Sequence, residues 1–134
     1  VFDQRFVPVL SDMKAAGCEI FVRSVFLQGL GFMIENRLSD HFRPIAPALR
    51  GLTEIENRTG LNRAAVLLSF PLGFQEVDHV VIGIDGLSTF QSNIKAYDLA
   101  EAQVSSSSMG QWSDLRIEDE ALLIPMNWPS EGTS

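Results

Sequence analysis

Residues Val80 to Asn93, Val-Val-Ile-Gly-Ile-Asp-Gly-Leu-Ser-Thr-Phe-Gln-Ser-Asn, constrain what this chain can fold into more than any other stretch. Val80, Val81, Ile82 and Ile84 make a β-branched run, the composition of a parallel strand buried on both faces, so polar chemistry is displaced to its C-terminal end. There Gly83 and Gly86 permit positive φ and close backbone approach, and Ser88 with Gln91 makes an S-x-x-Q capping box that opens a helix. A glycine-bearing turn that feeds a helix N-terminus aims N–H groups and the positive end of a dipole at whatever lies above it, a geometry suited to phosphate. The pattern is neither GxGxxG nor a P-loop, and on spacing alone such a junction more often just turns the chain.

The remaining chain supplies elements around this junction. Phe6, Leu10, Met13 and Ala16 recur at helical spacing before Gly17, which predicts a helix over 8–16 stopped by a glycine. Cys18 to Phe26 is rich in β-branched and aromatic residues and reads as a second strand. Loop follows to Asp40. From about Pro44, Ile45, Leu49, Leu52 and Ile55 predict an amphipathic helix ending at Gly60, and Asn62 caps a shorter helix that Pro71 stops after Phe70. The helix after Ser88 carries Phe90, Ile94 and Tyr97 on one side to about Asp98. Four serines at 105–108 read as a linker, a short acidic helix is expected near Asp114 to Glu120, an extended segment from Leu122, and frayed residues at 130–134.

Two strands do not make a free-standing sheet. A third strand at Val1 to Arg5 would help, yet the count still points to a piece of something larger, as does a chain that begins Val-Phe-Asp-Gln-Arg without Met. With 134 residues and 46% hydrophobic content the chain can bury a core, roughly two thirds of its unfolded surface. A net charge of −7, with 17 acidic against 10 basic residues and no basic stripe, argues against nucleic acid or an anionic membrane as partner. The single cysteine, Cys18, excludes an intrachain disulfide and a cysteine metal site, and no apolar run reaches the ~18 residues that span a bilayer. A cytoplasmic location is the expectation.

The Val80 to Asn93 stretch also resembles the end of an aldo/keto reductase barrel, whose last strand, loop and helix read roughly Val-Ile-x-Gly-x-x-Ser-x-x-Gln-x-x-x-Asn. Gly83 and Asn93 fall on that pattern at its ten-residue separation. Asp3-Gln4-Arg5-Phe6 and Val22 to Gly29 are similar to bacterial members, the likeness covers most of residues 1–97, and it continues weakly to Leu123 to Trp128. The resemblance implies an α/β fold: the C-terminal portion of a (β/α)8 TIM barrel, about strands 7 and 8 with their helices, incomplete, with 99–134 an irregular tail. It implies a cofactor, NADP or NAD, with Ser24, Phe26 and Gly29 along the pyrophosphate and ribose and with Gly83, Ile84, Asp85, Gly86, Thr89 and Asn93 around the adenosine end. Barrel physics places ligand groups at the same strand ends. Phe26 as simple core and Asn93 as a solvated helix residue are the plainer readings.

Departures from the pattern matter. Arg23 stands where the family often stacks an aromatic ring on the nicotinamide, and Gly83 and Thr89, with Asp85 close by, stand where NADP-preferring members place a basic residue. The family's catalytic Asp, Tyr, Lys and His come from the first half of the barrel, so no catalytic or metal residue is assigned here. His41 and His79 read as ordinary surface or helix-end histidines and Tyr97 as a packing residue. The implied function is the cofactor-binding part of an NAD(P)-dependent oxidoreductase that reduces aldehydes or ketones, inactive by itself and prone to self-associate through bare strand edges. The alternative is a non-catalytic α/β half-barrel module that works by pairing with another chain.

Overall fold

Helices form where apolar residues recur at helical spacing and a stop residue follows. The computed structural model describes residues 1–104 and 109–129. A 3-10 turn at Val7–Val9 runs into α1 (Leu10–Ala15), and Gly17 ends it at φ +82°, a conformation costly for any residue with a Cβ. The segment expected to be plain loop holds three 3-10 turns, Leu27–Phe32, Glu35–Arg37 and Asp40–Ile45. The last of these leads into α2 (Ala46–Thr59), which buries Leu49, Leu52 and Ile55 and ends at Gly60. Asn62 then accepts a 2.9 Å hydrogen bond from the Ala65 N–H, satisfying an otherwise orphaned donor at the start of α3 (Arg63–Leu72).

α3 is buried continuously from Ala65 to Pro71 and is the centre of the molecule. It runs through Pro71 rather than stopping before it, because a proline in the last turn forfeits one hydrogen bond while the carbonyls of Ser69 and Phe70 are taken up by the Gly73 N–H. α4 (Leu87–Val104) packs along it through Asn93, Ala96 and Ala100, and the two alanines let the helix axes approach closely. α4 starts before Ser88 and passes well beyond Asp98, so Ser88 lies inside its first turn and the expected capping box does not open it. Phe90, Ile94 and Tyr97 do share a side of α4, but that side faces solvent.

Arg63 ties these layers together. Its guanidinium donates to Glu56 Oε2 at 2.7 Å, to Thr53 Oγ1 at 2.8 Å and to the Gly31 carbonyl at 3.1 Å. Toward the C-terminus a 3-10 turn at Met109–Leu115 seats Trp112 and Leu115 in the core, and α5 (Glu120–Leu123), capped by the Asp119 side chain, is followed by a 3-10 turn at Pro125–Asn127. Turns therefore replace both the acidic helix expected near Asp114 to Glu120 and the extended segment after Leu122. The readings at 105–108 and 130–134 lie outside the described residues. Val1 to Arg5 is not a strand, and Phe2 meets the C-terminal segment through one bond from the Ile117 N–H to its carbonyl, 2.9 Å.

The expected architecture, a TIM-barrel portion made of strands 7 and 8 with their helices, is overturned. The described residues hold only two strands of three residues each, β1 (Phe21–Arg23) and β2 (His79–Val81), joined in parallel inside a chain that is otherwise helices and turns. Nor is either strand buried on both faces: Val22 and Val80 are half-buried, while Phe21, Arg23, His79 and Val81 are exposed. The β-branched runs are longer than the ladder because a strand extends only where a neighbour accepts its hydrogen bonds. Beyond Arg23 the backbone turns at Ser24, φ 59°, and among the described residues no third strand continues the sheet. The apolar area is buried instead by α2, α3, α4 and the C-terminal turns.

Candidate functional site

A parallel pair sends both of its C-terminal ends the same way. Asp78 starts the ladder: its carboxylate accepts from the Ile20 N–H at 2.8 Å and pairs with Lys14, contacts that hold it below the usual carboxylate range. The register sets Phe21 opposite His79, Val22 opposite Val80 and Arg23 opposite Val81. Ser24 and Ile82 are then the next residues on each strand, so the turn after β1 and the glycine turn after β2 leave side by side.

The turn after β1 is strained. Ser24, Leu27 and Gln28 all take positive φ (59°, 45° and 50°), as does Gly29 at 86°. Non-glycine residues in this region cost of order 1–3 kcal/mol each and concentrate where function over-determines the backbone. The Phe26 carbonyl secures the turn by accepting from the N–H groups of Gly29 (3.0 Å) and Gly31 (3.3 Å). Phe26 itself is half-buried against the core and tilted on Phe32, centroids 5.1 Å apart, so its ring packs while its backbone organises the turn.

The turn after β2 is open. Gly83, Ile84, Asp85 and Gly86 are exposed, and a Cβ added at Gly83 or Gly86 would meet no atom within 4 Å. Neither glycine takes positive φ, which corrects the expectation that the turn needs their left-handed freedom. The space at both positions is clear for a group approaching from outside. The Thr89 hydroxyl donates to the Asp85 carboxylate, fixing that side chain beside the first turn of α4.

Seven of the nine expected binding residues, Ser24 and Gly29 together with Gly83, Ile84, Asp85, Gly86 and Thr89, thus lie on or beside the two adjacent turns. Phe26 lies within the first of these turns, with its ring on Phe32 and its carbonyl taken up by the Gly29 and Gly31 N–H groups. Asn93 is not the solvated residue of the plainer reading: it is 7% exposed on the side of α4 that meets α3, and its Nδ2 has no hydrogen-bond partner. A buried amide donor without a partner costs roughly 1–3 kcal/mol.

His79 is exposed, stacks on Phe21 at 4.5 Å and lies 3.0 Å from Glu19 Oε1, while His41 contacts the Ala121 carbonyl at 3.1 Å. Tyr97 is not the packing residue expected. It is 37% exposed, and its hydroxyl donates to Glu101, which raises the phenol above its ordinary range. Among the described residues no group of three or more His, Cys, Asp or Glu could hold a metal, and no helix is long and apolar enough to cross a membrane.

One feature escaped sequence reasoning. A groove of about 500 Å³ lies between the N-terminal segment and β1, with Phe6, Leu10, Met13 and Val22 in its wall and Arg23 and Ser24 in its lining. The spacing of Phe6, Leu10 and Met13 is its only sequence signal, and helical periodicity does not say whether such a face is packed or lines a hollow. Comparison with protein families, with characterised proteins and with solved structures finds no match to this chain.

Proposed function

We propose that this chain is the dinucleotide-holding part of an NAD(P)-dependent oxidoreductase acting on small aldehydes or ketones, as its resemblance to aldo/keto reductases at Val22 to Gly29 and Val80 to Asn93 implies. The observation that carries the reading is the parallel register, which sets the strained Ser24–Gly29 turn beside the open Gly83–Gly86 turn at the start of α4. Backbone N–H groups at the head of an 18-residue helix suit a phosphate, and the clear space over Gly83 and Gly86 admits one without rearrangement. With Asp85 in the turn and no basic residue at Gly83 or Thr89, a 2′-phosphate has no clamp there, so NADP and NAD are held about equally. The general acid and the lysine that would activate it are not assigned to any residue of this chain.

The test is titration of NADH and NADPH, followed by nucleotide fluorescence. Binding of both below millimolar concentration, with less than about a tenfold difference, is expected, since one charge-assisted phosphate contact is worth about 1.5–3 kcal/mol. Gly86→Val should weaken both, and no turnover with an aldehyde panel should be seen. Failure of either nucleotide to bind at millimolar concentration overturns the reading.

A second reading, a non-catalytic module that acts by association, is favoured by one observation. Leu87, Phe90, Ile94 and Tyr97 form an exposed apolar stripe on α4 at the 3-4-3 spacing of a helix-pairing seam, and among the described residues β1 and β2 pair only with each other, each on one edge. Light scattering at micromolar concentration decides: this reading expects a dimer that Ile94→Glu dissociates, and a monomer refutes it.

A further inference from the structure

We propose that the outer edge of β1 pairs antiparallel with β1 of a second copy of this chain, about a two-fold axis at Phe21. In a parallel ladder a strand turns alternate residues toward its neighbour. The Ile20 carbonyl accepts from the His79 N–H at 3.2 Å and the register sets Phe21 opposite His79, so the backbone groups of Ile20 and Val22 serve β2. Those of Glu19, Phe21 and Arg23 then point to the other edge. Among the described residues no strand pairs with that edge, and the groove of about 500 Å³ between β1 and the N-terminal segment leaves space beside it.

Charge selects both the occupant and its register. Strand alternation sets Glu19, Phe21 and Arg23 on one face, opposite half-buried Val22, and all three are exposed. Their order is acid, ring, base. An antiparallel copy centred on Phe21 lays Glu19 against the partner's Arg23 and Arg23 against the partner's Glu19, and brings the two rings together. Each opposed pair is of the kind that exchanges two backbone hydrogen bonds. Moving the axis to Glu19 or to Arg23 sets like charge on like, and so does a parallel copy in register. The outer edge of β2 has no such match, since Val80 is flanked by Asp78 and Ile82 and Asp78 already pairs with Lys14. Arg23 makes no ion pair with any described residue, and Glu19, 65% exposed, meets His79 through Oε1 alone. The pairing closes on itself as a dimer and converts a marginal two-stranded sheet into a four-stranded one.

This inference rests on the association reading and moves its interface from the α4 stripe to the strand edge. Sedimentation of the full chain from micromolar to submillimolar concentration should show a monomer–dimer equilibrium. Glu19→Arg and Arg23→Glu should each weaken it by about tenfold or more, because two opposed pairs become like-charged, and the two substitutions together should restore it. Both side chains are exposed, so these exchanges do not threaten the fold. Ile94→Glu should leave the dimer intact. The Phe21 N–H should gain protection from hydrogen exchange as concentration rises, while the Val22 N–H, laddered to β2, is protected throughout. Single charge reversals without effect, a double exchange that fails to restore the dimer, or a dimer that only Ile94→Glu dissociates each overturns the proposal and leaves the association reading standing. A monomer over the whole range overturns both.

Discussion

The helical body and the strand pair treat apolar side chains in opposite ways. In the body, Leu52, Val66 and Leu67 have no exposed surface at all, whereas on the strand pair Phe21 is 57% and Val81 50% exposed. Both regions are rich in large apolar residues, so composition does not separate them. The difference is partners: α3 packs against α2, α4 and the Leu27–Phe32 turn, while the two strands pair with each other and meet the core only on their Val22 and Val80 side. Stability therefore resides in the helices, and the backbone at the strand ends is free to be strained and open without unfolding the rest. That division suits a binding site carried on a rigid support.

The largest test of this division is a cavity. Leu67→Ala should lower the unfolding free energy by about 2–5 kcal/mol in urea denaturation, whereas Val81→Thr should change it by less than about 0.5 kcal/mol. Similar costs at the two sites would mean that the strand pair carries a share of the core this comparison denies it.

A smaller effect probes the fit between α2 and the C-terminal turn. A Cβ at Gly51 would overlap Leu115 Cδ2, and Leu115 is only 1% exposed, so it has little room to retreat. Alanine gains up to about 1 kcal/mol of helix propensity, but overpacking costs about 1–3 kcal/mol, so Gly51→Ala should be destabilising by about 1 kcal/mol. A rise in melting temperature would show that the Met109–Leu115 turn yields freely and belongs with the loosely held parts.

The smallest is an acid effect confined to the N-terminal and strand region. Asp3 and Asp78 have lowered folded-state values through Arg5 and Lys14, and Glu76 through the Ser11 hydroxyl. A carboxyl whose value is depressed in the folded state contributes stability that is present above its unfolded value and lost as pH falls through the folded one. The contribution of these three carboxylates should thus be level above about pH 5 and decline below about pH 4. Asp78→Asn should make that decline shallower by a measurable fraction, and an unchanged slope would exclude this pair from holding the ladder.

Much of the helical body was legible. Leu49, Leu52 and Ile55 marked α2, Gly60 and Gly17 marked helix ends, and Asn62 marked the α3 cap, because each is a local signal whose physics lies within a few residues. The strands were overread for the complementary reason. A β-branched run records a preference for extended backbone, but a ladder also requires a neighbour: Ile20 still bonds to Asp78 and His79 but falls outside the paired register, and Ile82 to Ile84 lies past the last paired residue, Val81. The site was legible as two turns and illegible as a shape: nothing local places Ser24 beside Ile82, fifty-eight residues on, or signals that Leu27 and Gln28 adopt positive φ.

The amino-acid sequence by itself determined the glycine ends of α1 and α2 and the Asn62 cap of α3, that the acidic chain has one cysteine and no run long enough to span a bilayer, and which glycines and polar residues cluster after each β-branched run. The tertiary structure alone decided that α3 would be the buried centre, that the apolar stripe of α4 would face solvent while Asn93 turned inward, and that Met13 and Val22 would wall a groove. The reason is physical. Capping and periodicity act over three or four residues, whereas burial and ion pairing depend on which distant segments come to lie against one another.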